Sequence, residues 1–227
     1  MLALDVGTSS TRAMLFDREG RAVEGLETQT PYRLRTTPDG GVEGDADQLI
    51  DVAAAAIDET LRRAGSLAEQ IAGVGVSAFW HSLMGVAGGG DAGGELRALT
   101  PVFSWADTRS AAAADALRAE MIERGDDLGE VHDRTGCVIH TSYWPAKLRW
   151  LQAARPDLAE ARGPVRWLGY GDYLLARFTG RVACSVAMAS GTGLLNQHTA
   201  DWDGPFLDRL GIDRRRLPPL IDRDEPV

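Results

Sequence analysis

Three short segments of alternating residues open the chain, and a clear helical period follows them. Apolar and polar residues alternate over Leu2–Leu4, Arg12–Phe16 and Ala22–Thr28, which is typical of half-buried strands. From Asp45 the period becomes helical, and Asp45 followed by Gln48 forms a capping-box pattern. The residues spaced for one helical face are Leu49, Val52, Ala53, Ala56, Ile57 and Leu61. A strand meander that leads into mixed helices and strands predicts an α/β domain.

The later segments continue the mixture of strands and helices. A strand is predicted over Ile71–Met84 and another over Leu99–Trp105, with a glycine-rich loop at Gly88–Gly94 between them. Further helices are predicted at Ser110–Arg124, Ala146–Ala154, Asp172–Phe178 and Phe206–Leu210. The arginine-rich and proline-containing tail from residue 214 is typical of a linker. We therefore expect one domain at 1–213 and the start of a linker at 214–227.

Composition excludes several functional classes. The 227 residues carry 24 basic and 33 acidic side chains, a net charge of −9, which argues against a dedicated nucleic-acid binder. No apolar run approaches the roughly 20 residues of a membrane-spanning helix, so no membrane partner is expected. Cys137 and Cys184 form no C-x-x-C pair, and the only lysine, Lys147, follows alanine, which excludes a glycine-lysine phosphate loop. A reducing cytoplasm is the predicted location.

The turn after the first predicted strand is the first candidate for chemistry. It runs Asp5-Val6-Gly7-Thr8-Ser9-Ser10-Thr11-Arg12. Glycine permits a tight turn, and the amides and hydroxyls that follow can face phosphate oxygens. Asp5 at the strand end can hold hydrated Mg²⁺, and Arg12 can contact a transferred phosphoryl group. A solvated serine-threonine turn is the alternative.

Two further segments combine aromatic and polar side chains. Trp80-His81 interrupts an apolar run, and a histidine at such a place is more often a satisfied core residue than a ligand. Trp105, Asp107 and Arg109 stand where a strand ends and a helix begins. Asp107 can cap that helix, or the acid, the arginine and the aromatic wall can bind a polyhydroxy ligand. The row of small residues at 184–193 favours close backbone packing, and the absence of G-x-S-x-G leaves an acyl-transfer triad without support.

Taken in order, these segments resemble the N-terminal half of the FGGY carbohydrate kinases, which belong to the actin and hexokinase superfamily. Besides the first loop, the substrate strand resembles Ser77–Gly85 and the W-x-D-x-R segment resembles Trp105–Arg109. The other matching segments are T-G-x-x-I at 135–139, K-x-x-W at 147–150, D-Y-L at 172–174, T-G at 179–180, A-S-x-T-G-L-L at 189–195 and D-W-D at 201–203. The resemblance covers essentially the whole chain.

The resemblance implies an actin-like ATPase, or ribonuclease H-like, fold and the transfer of the γ-phosphoryl group of Mg-ATP to a sugar hydroxyl. It implies that Asp5 holds Mg²⁺ through water and acts with Arg12 in catalysis. The implied phosphate-binding residues are Gly7, Thr8, Ser9 and Ser10, and the implied substrate-binding residues are Trp80, His81, Trp105, Asp107, Arg109 and Ser142. The segments are most similar to those of gluconokinases, with xylulokinases next. Glycerol kinases fit less well, because they carry an arginine-glutamate pair at Trp80-His81 and a tyrosine at Ser142.

Two departures from the family pattern affect the expected activity. Ser185 stands at the position that the resemblance assigns to a catalytic aspartate, and Asp107 is the possible substitute base. The lobe that binds the adenosine part of ATP in the family has no counterpart here, so the chain alone is expected to be inactive. A sugar-binding regulatory module without catalysis is the alternative from another class. The expected partners are a sugar or sugar acid and ATP, and a homodimer is compatible with the resemblance.

Overall fold

A computed structural model describes residues 1–89, 96–159 and 165–222. The strands are β1 (Leu2–Val6), β2 (Ser10–Phe16), β3 (Ala22–Pro31), β4 (Arg35–Thr36), β5 (Val42–Gly44), β6 (Val74–Ala78), β7 (Met84–Ala87), β8 (Arg97–Ala98), β9 (Val102–Phe103), β10 (Arg166–Leu168), β11 (Cys184–Ser185), β12 (Leu195–Asn196), β13 (Asp201–Trp202) and β14 (Leu220–Ile221). The helices are α1 (Ala46–Ala64), α2 (Ala111–Glu123), α3 (Leu128–Thr135), α4 (Trp144–Ala154), α5 (Pro156–Ala159), α6 (Tyr170–Thr179), α7 (Val186–Ser190) and α8 (Gly204–Leu210).

The chain divides into two compact units. Unit 1 consists of Met1–Arg35 and Gly44–Phe79, and unit 2 consists of Thr36–Glu43 and Trp80–Val227. Within the described residues, no helix combines the length and the apolar character that a membrane crossing needs.

Unit 1 is built on a four-stranded sheet in the order β3-β2-β1-β6. Strand β1 pairs antiparallel with β2 and parallel with β6, so the predicted meander is confirmed and gains a fourth strand. Helix α1 packs on β2 and β3 and buries the predicted apolar positions Leu49, Ala53 and Ala56. Its start is also confirmed, because Asp45 Oδ1 accepts a hydrogen bond of 2.9 Å from the Gln48 amide.

The predicted strand over Ile71–Met84 is wrong as a continuous element. Strand β6 ends at Ala78 and β7 begins at Met84. Between them His81 has a φ angle of 61°, a left-handed conformation that regular strand pairing does not accommodate. The predicted strand at Leu99–Trp105 is likewise reduced to Val102–Phe103, because a turn follows in which Asp107 N donates to Ser104 O at 3.2 Å.

The core of unit 2 contains two tryptophans in stacked contact. The rings of Trp144 and Trp202 lie 6.4 Å apart between centroids, and both side chains are buried. Each indole N–H has an acceptor, since Trp144 Nε1 donates to Ser82 O and Trp202 Nε1 to Pro218 O. Helices α2 and α4 pack together beside this pair. The predicted helices in this half are confirmed as α2, α4, α6 and α8 with end shifts, whereas α3, α5 and α7 were not predicted.

The tail is folded as far as the structure describes it, which corrects the linker prediction there. Strand β14 pairs parallel with β11, and Leu217 and Ile221 are buried. The polar sequence concealed this because only these few apolar residues, spaced along the tail, enter the core. Residues 223–227 of the expected linker, and residues 90–94 of the expected glycine loop, lie outside the described residues. That the tail leads to a second domain stays a prediction.

Candidate functional site

The predicted phosphate loop lies in unit 1, between β1 and β2. Asp5 and Arg12 are register partners on these antiparallel strands, so a carboxylate and a guanidinium stand on either side of the loop's base. The turn is closed by the Gly7 amide, which donates to Ser10 O at 2.9 Å. The Arg12 guanidinium and the row of hydroxyl-bearing residues in the turn are groups that can contact an anion, whereas the Asp5 carboxylate would attract a cation.

Strand β3 supports this loop through two polar contacts. Arg12 Nε lies 3.0 Å from Glu27 Oε1, and both side chains are partly exposed. Gln29 Nε2 donates to Ser10 Oγ at 3.0 Å. These contacts hold the first residues of β2 against β3 and were not visible in the sequence, because Glu27 and Gln29 lie in an ordinary strand pattern.

Trp80 and His81 begin the second segment of unit 2 and contact residues that the sequence did not single out. His81 Nδ1 lies 2.5 Å from Gly191 O. The His81 ring meets Tyr143 edge-on, with 4.8 Å between centroids, and lies 5.9 Å from the Trp80 ring. Trp80 is half exposed. The histidine is therefore oriented by a carbonyl and an aromatic edge, while the indole next to it remains open to a ligand.

Gly191 permits this arrangement because it lacks a side chain. A Cβ atom on Gly191 would lie 3.3 Å from both His81 Nδ1 and Trp80 Cδ2. Contacts of that length are tighter than side chains normally tolerate. The A-S-x-T-G segment thus contributes a backbone carbonyl and a close approach, and the repeated small residues were the available signal.

Asp107 and Arg109, also in unit 2, belong to a buried ion network. Arg109 Nη2 lies 2.5 Å from both Asp107 Oδ2 and Glu43 Oε2. Its guanidinium lies over the rings of Phe103 and Trp150, at 5.3 and 4.9 Å from their centroids. Burial lowers the pKa of Arg109, but the two carboxylates outweigh it and raise the pKa above the ordinary value. The group is therefore a permanently charged anchor, and Glu43 is a member that no sequence pattern indicated.

The carboxylate of Asp107 also fixes backbone. Val42 N donates to Oδ2 at 3.1 Å and Arg109 N donates to Oδ1 at 3.1 Å. Trp105, two residues earlier, is half exposed. Asp107 thus ties the Trp105–Arg109 turn to the Thr36–Glu43 segment of the same unit, and Trp105 is the member of the motif that is open to a ligand.

The predicted substrate residue Ser142 lies in a loop held by Lys147. The buried Lys147 ammonium donates to Thr141 O and, at 2.9 Å, to Ser142 O. Burial lowers the pKa of Lys147 to about 7, and the negative charge of Asp107 opposes that shift. Ser142 Oγ lies 3.2 Å from His140 Nδ1. The K-x-x-W pattern contains Lys147 but does not indicate this role, which comes from the two carbonyl groups that accept from its ammonium.

Ser185 begins helix α7. Its hydroxyl accepts a hydrogen bond of 3.1 Å from the Met188 amide, which is an N-cap contact. The position therefore has a structural task, and an aspartate there could make the same cap.

The carboxylates near the loop could hold Mg²⁺ only together with water and substrate phosphates. Within the described parts of the chain, no cluster of three or more His, Cys, Asp or Glu side chains could hold an ion. Mg²⁺ commonly keeps several waters and uses one or two carboxylates together with substrate phosphates. The exposed Asp5 beside the loop fits that mode, and a cage made of protein ligands alone does not fit.

Comparison with known proteins identifies the class to which this fold and these loops belong. The model of the N-terminal domain of the FGGY family of carbohydrate kinases matches residues 1–227. This chain therefore belongs to the FGGY carbohydrate kinase family, and the predicted actin-like sugar kinase fold is confirmed.

Individual relatives differ in their substrates. The chain is 27% identical to the gluconokinase of Bacillus subtilis strain 168 over 99% of its length, and 32% identical to the glycerol kinase of Aromatoleum aromaticum over 98%. Among solved structures it resembles ligand-bound xylulose kinase and gluconate kinase from Lactobacillus acidophilus, each 29% identical over 97% of the chain, with TM-scores of 0.76 and 0.74. It spans 40% and 43% of the two sequence relatives, and 41% and 42% of the two structures.

Proposed function

We propose that this chain forms the sugar-binding and phosphate-binding part of an ATP-dependent carbohydrate kinase. The observation that carries the proposal is the set Trp80, His81, Tyr143 and Gly191, in which an open indole stands beside a histidine of fixed orientation. Sugar faces stack on aromatic rings, and sugar hydroxyls need placed donors and acceptors. Family membership supplies the reaction class.

We propose gluconate as the favoured acceptor, with xylulose as the alternative. The support is the Trp80-His81 pair, the Trp-Ala-Asp-x-Arg form of the second segment and the relatives named for these two sugars. Overall identity does not decide the substrate, because a glycerol kinase relative is 32% identical and the gluconokinase relative 27%. The choice therefore depends on local residues, and Trp80, His81 and Ser142 are those that distinguish the classes.

In the proposed reaction the sugar hydroxyl oxygen bonds to the γ-phosphorus of ATP while the bond to the β,γ-bridging oxygen breaks, and the hydroxyl proton passes to a base. Bound Mg²⁺ would neutralise phosphate charge, and Asp5 would hold it through water. The Gly7–Ser10 loop and Arg12 would orient the transferred group. Positioning and electrostatics dominate this chemistry, since its transition state is loose. The adenosine part of ATP would bind in a further lobe, as in longer relatives.

Asp107 and the position of Ser185 are the two candidates for the base that accepts the proton of the sugar hydroxyl. Asp107 already accepts hydrogen bonds from Val42 N and Arg109, and Ser185 caps α7. An Asp107→Asn variant of the active protein should lose roughly 10²- to 10⁴-fold in kcat if Asp107 takes the proton. A Ser185→Asp variant should instead gain in kcat if that position is the natural place for a base. Unchanged kcat in both would assign the base to another part of the protein.

A sugar-binding module without catalysis is the second candidate function, favoured by Ser185 at the position that the family pattern assigns to an aspartate. The experiment expresses the longest reading frame that contains this chain and incubates it with ATP, Mg²⁺ and a panel of gluconate, xylulose, glycerol and other polyols. Phosphorylated gluconate or xylulose supports the kinase. Calorimetric sugar binding with no product and no effect of ATP supports the module, and neither binding nor product in a folded protein contradicts both.

A further inference from the structure

Three backbone carbonyl groups of the predicted phosphate loop, those of Gly7, Ser9 and Ser10, accept hydrogen bonds from donors within unit 1, and Tyr32 supplies two of those donors. The Tyr32 hydroxyl donates to Gly7 O, and the Tyr32 amide donates to Ser9 O at 2.9 Å. Ser10 O accepts the Gly7 amide. Tyr32 follows β3 directly, so one residue reaches the loop through both its backbone and its side chain.

This engagement matters because of the sign of charge that the loop must present. A carbonyl oxygen carries partial negative charge and repels a phosphate, whereas an N–H or O–H attracts it. Each carbonyl that turns towards Tyr32 or Gly7 is kept from turning towards the anion. The same hydrogen bonds satisfy acceptors that would otherwise need water in a crowded turn.

The phenol is suited to this task at neutral pH. Burial raises the pKa of Tyr32, a contact with Thr11 lowers it, and the Asp5 carboxylate raises it again, with a net rise. The hydroxyl therefore keeps its proton and remains a donor.

We propose that Tyr32 is a positioning residue for phosphoryl transfer, which orients the Gly7–Ser10 loop by holding the Gly7 and Ser9 carbonyl groups away from the bound phosphate. The inference rests on the proposed kinase function. Tyr32 does not contact the reacting atoms in this role. It acts through the loop backbone, so its loss should affect ATP and leave the sugar unaffected.

The test is Tyr32→Phe in the longest reading frame that contains this chain. The ring and the backbone hydrogen bond remain, and only the donor to Gly7 O is lost. We expect kcat/KM for ATP to fall about fivefold, the effect of one hydrogen bond, with the sugar dissociation constant unchanged. The matched control is Tyr173→Phe, which removes a buried phenol that accepts from Arg177 at 2.7 Å in unit 2. That control should leave kcat/KM for ATP unchanged.

Amide hydrogen exchange over residues 1–16 provides a second readout that does not require activity. Tyr32→Phe should accelerate exchange at residues 7–10 by about the same factor as the kinetic loss, and Tyr173→Phe should not. If the wild-type protein phosphorylates nothing, the proposed function fails and the exchange result still decides on Tyr32. Unchanged exchange in the loop, or equal losses of ATP and sugar affinity, would overturn the positioning role.

Discussion

The Nδ1 atom of His81 lies 2.5 Å from the carbonyl oxygen of Gly191. Because a carbonyl can only accept, Nδ1 must carry the proton, which leaves Nε2 as an acceptor in the neutral ring. The contact also holds His81 at a φ angle of 61°, a left-handed backbone conformation that residues other than glycine adopt at a cost in free energy. A fixed tautomer on a fixed backbone is suited to accepting a hydrogen bond from one particular hydroxyl group.

Gly191→Ala should therefore weaken sugar binding. The added methyl would lie 3.3 Å from His81 and Trp80, so both rings must shift. We expect a roughly tenfold higher KM for the sugar and an unchanged KM for ATP, measured by steady-state kinetics. Gly204→Ala is the matched control, because a Cβ there would meet nothing within 4 Å. Equal kinetics for the two variants would show that the close approach at Gly191 has no role in binding.

Arg109→Lys should destabilise the fold although the charge is retained. Lysine cannot bridge Asp107 and Glu43 in the same plane or stack its head group on Trp150. Losing one of the hydrogen bonds to these buried carboxylates should cost about 2 kcal/mol in the free energy of unfolding, which urea denaturation would measure. Arg155→Lys changes an exposed pair with Asp157 and should stay within about 0.5 kcal/mol. If Arg109→Lys also lowers the free energy of unfolding by less than about 0.5 kcal/mol, the planar contacts of Arg109 are not needed for stability.

Lys147→Met should change how stability depends on pH. The folded pKa is about 7 against roughly 10.4 when unfolded, so between these values the unfolded chain binds more protons. Stability conferred by this group therefore rises as pH increases from 7 to 10. The variant should lose that slope, and its Thr141 and Ser142 carbonyl groups should lose their donor. Urea midpoints at pH 7, 8 and 9 would reveal the difference, and parallel profiles for both proteins would contradict it.

Asp172→Asn should also change how stability depends on pH, but with the opposite sign. Complete burial raises the pKa of Asp172 to about 7, from roughly 3.9 when unfolded, despite a hydrogen bond from Gly169 N. The folded state therefore binds more protons between pH 4 and 7, and stability falls as pH rises through that window, by up to about 4 kcal/mol. Asparagine keeps an acceptor for the Gly169 amide but does not titrate, so the variant should not lose stability between pH 4 and 7. Asp201→Asn, which changes an exposed ion pair with Arg214, should still lose stability between pH 4 and 7.

The sequence predicted the parts of the fold that depend on local pattern. The strands of unit 1 and the start of α1 follow from alternation and from Asp45, and the order of motifs indicated the family. It failed where a single residue interrupts a pattern, because nothing in the letters around His81 shows a left-handed φ angle. It also failed at Glu43 and Tyr143, which act through partners 66 and 62 positions distant. Such contacts depend on tertiary packing, which local periodicity does not encode.

The parallel pairing of β1 and β6 has a consequence for insertions and deletions. Val6 is aligned with Ala78, so at the same end of the sheet the chain continues into the Gly7–Ser10 turn and into Phe79. One residue added within β6 would advance Phe79 by about 3.3 Å or invert the faces of the strand. The hairpin turn near Gly20 carries no such constraint. Length variation should therefore be tolerated between β2 and β3 and selected against between Gly73 and Phe79.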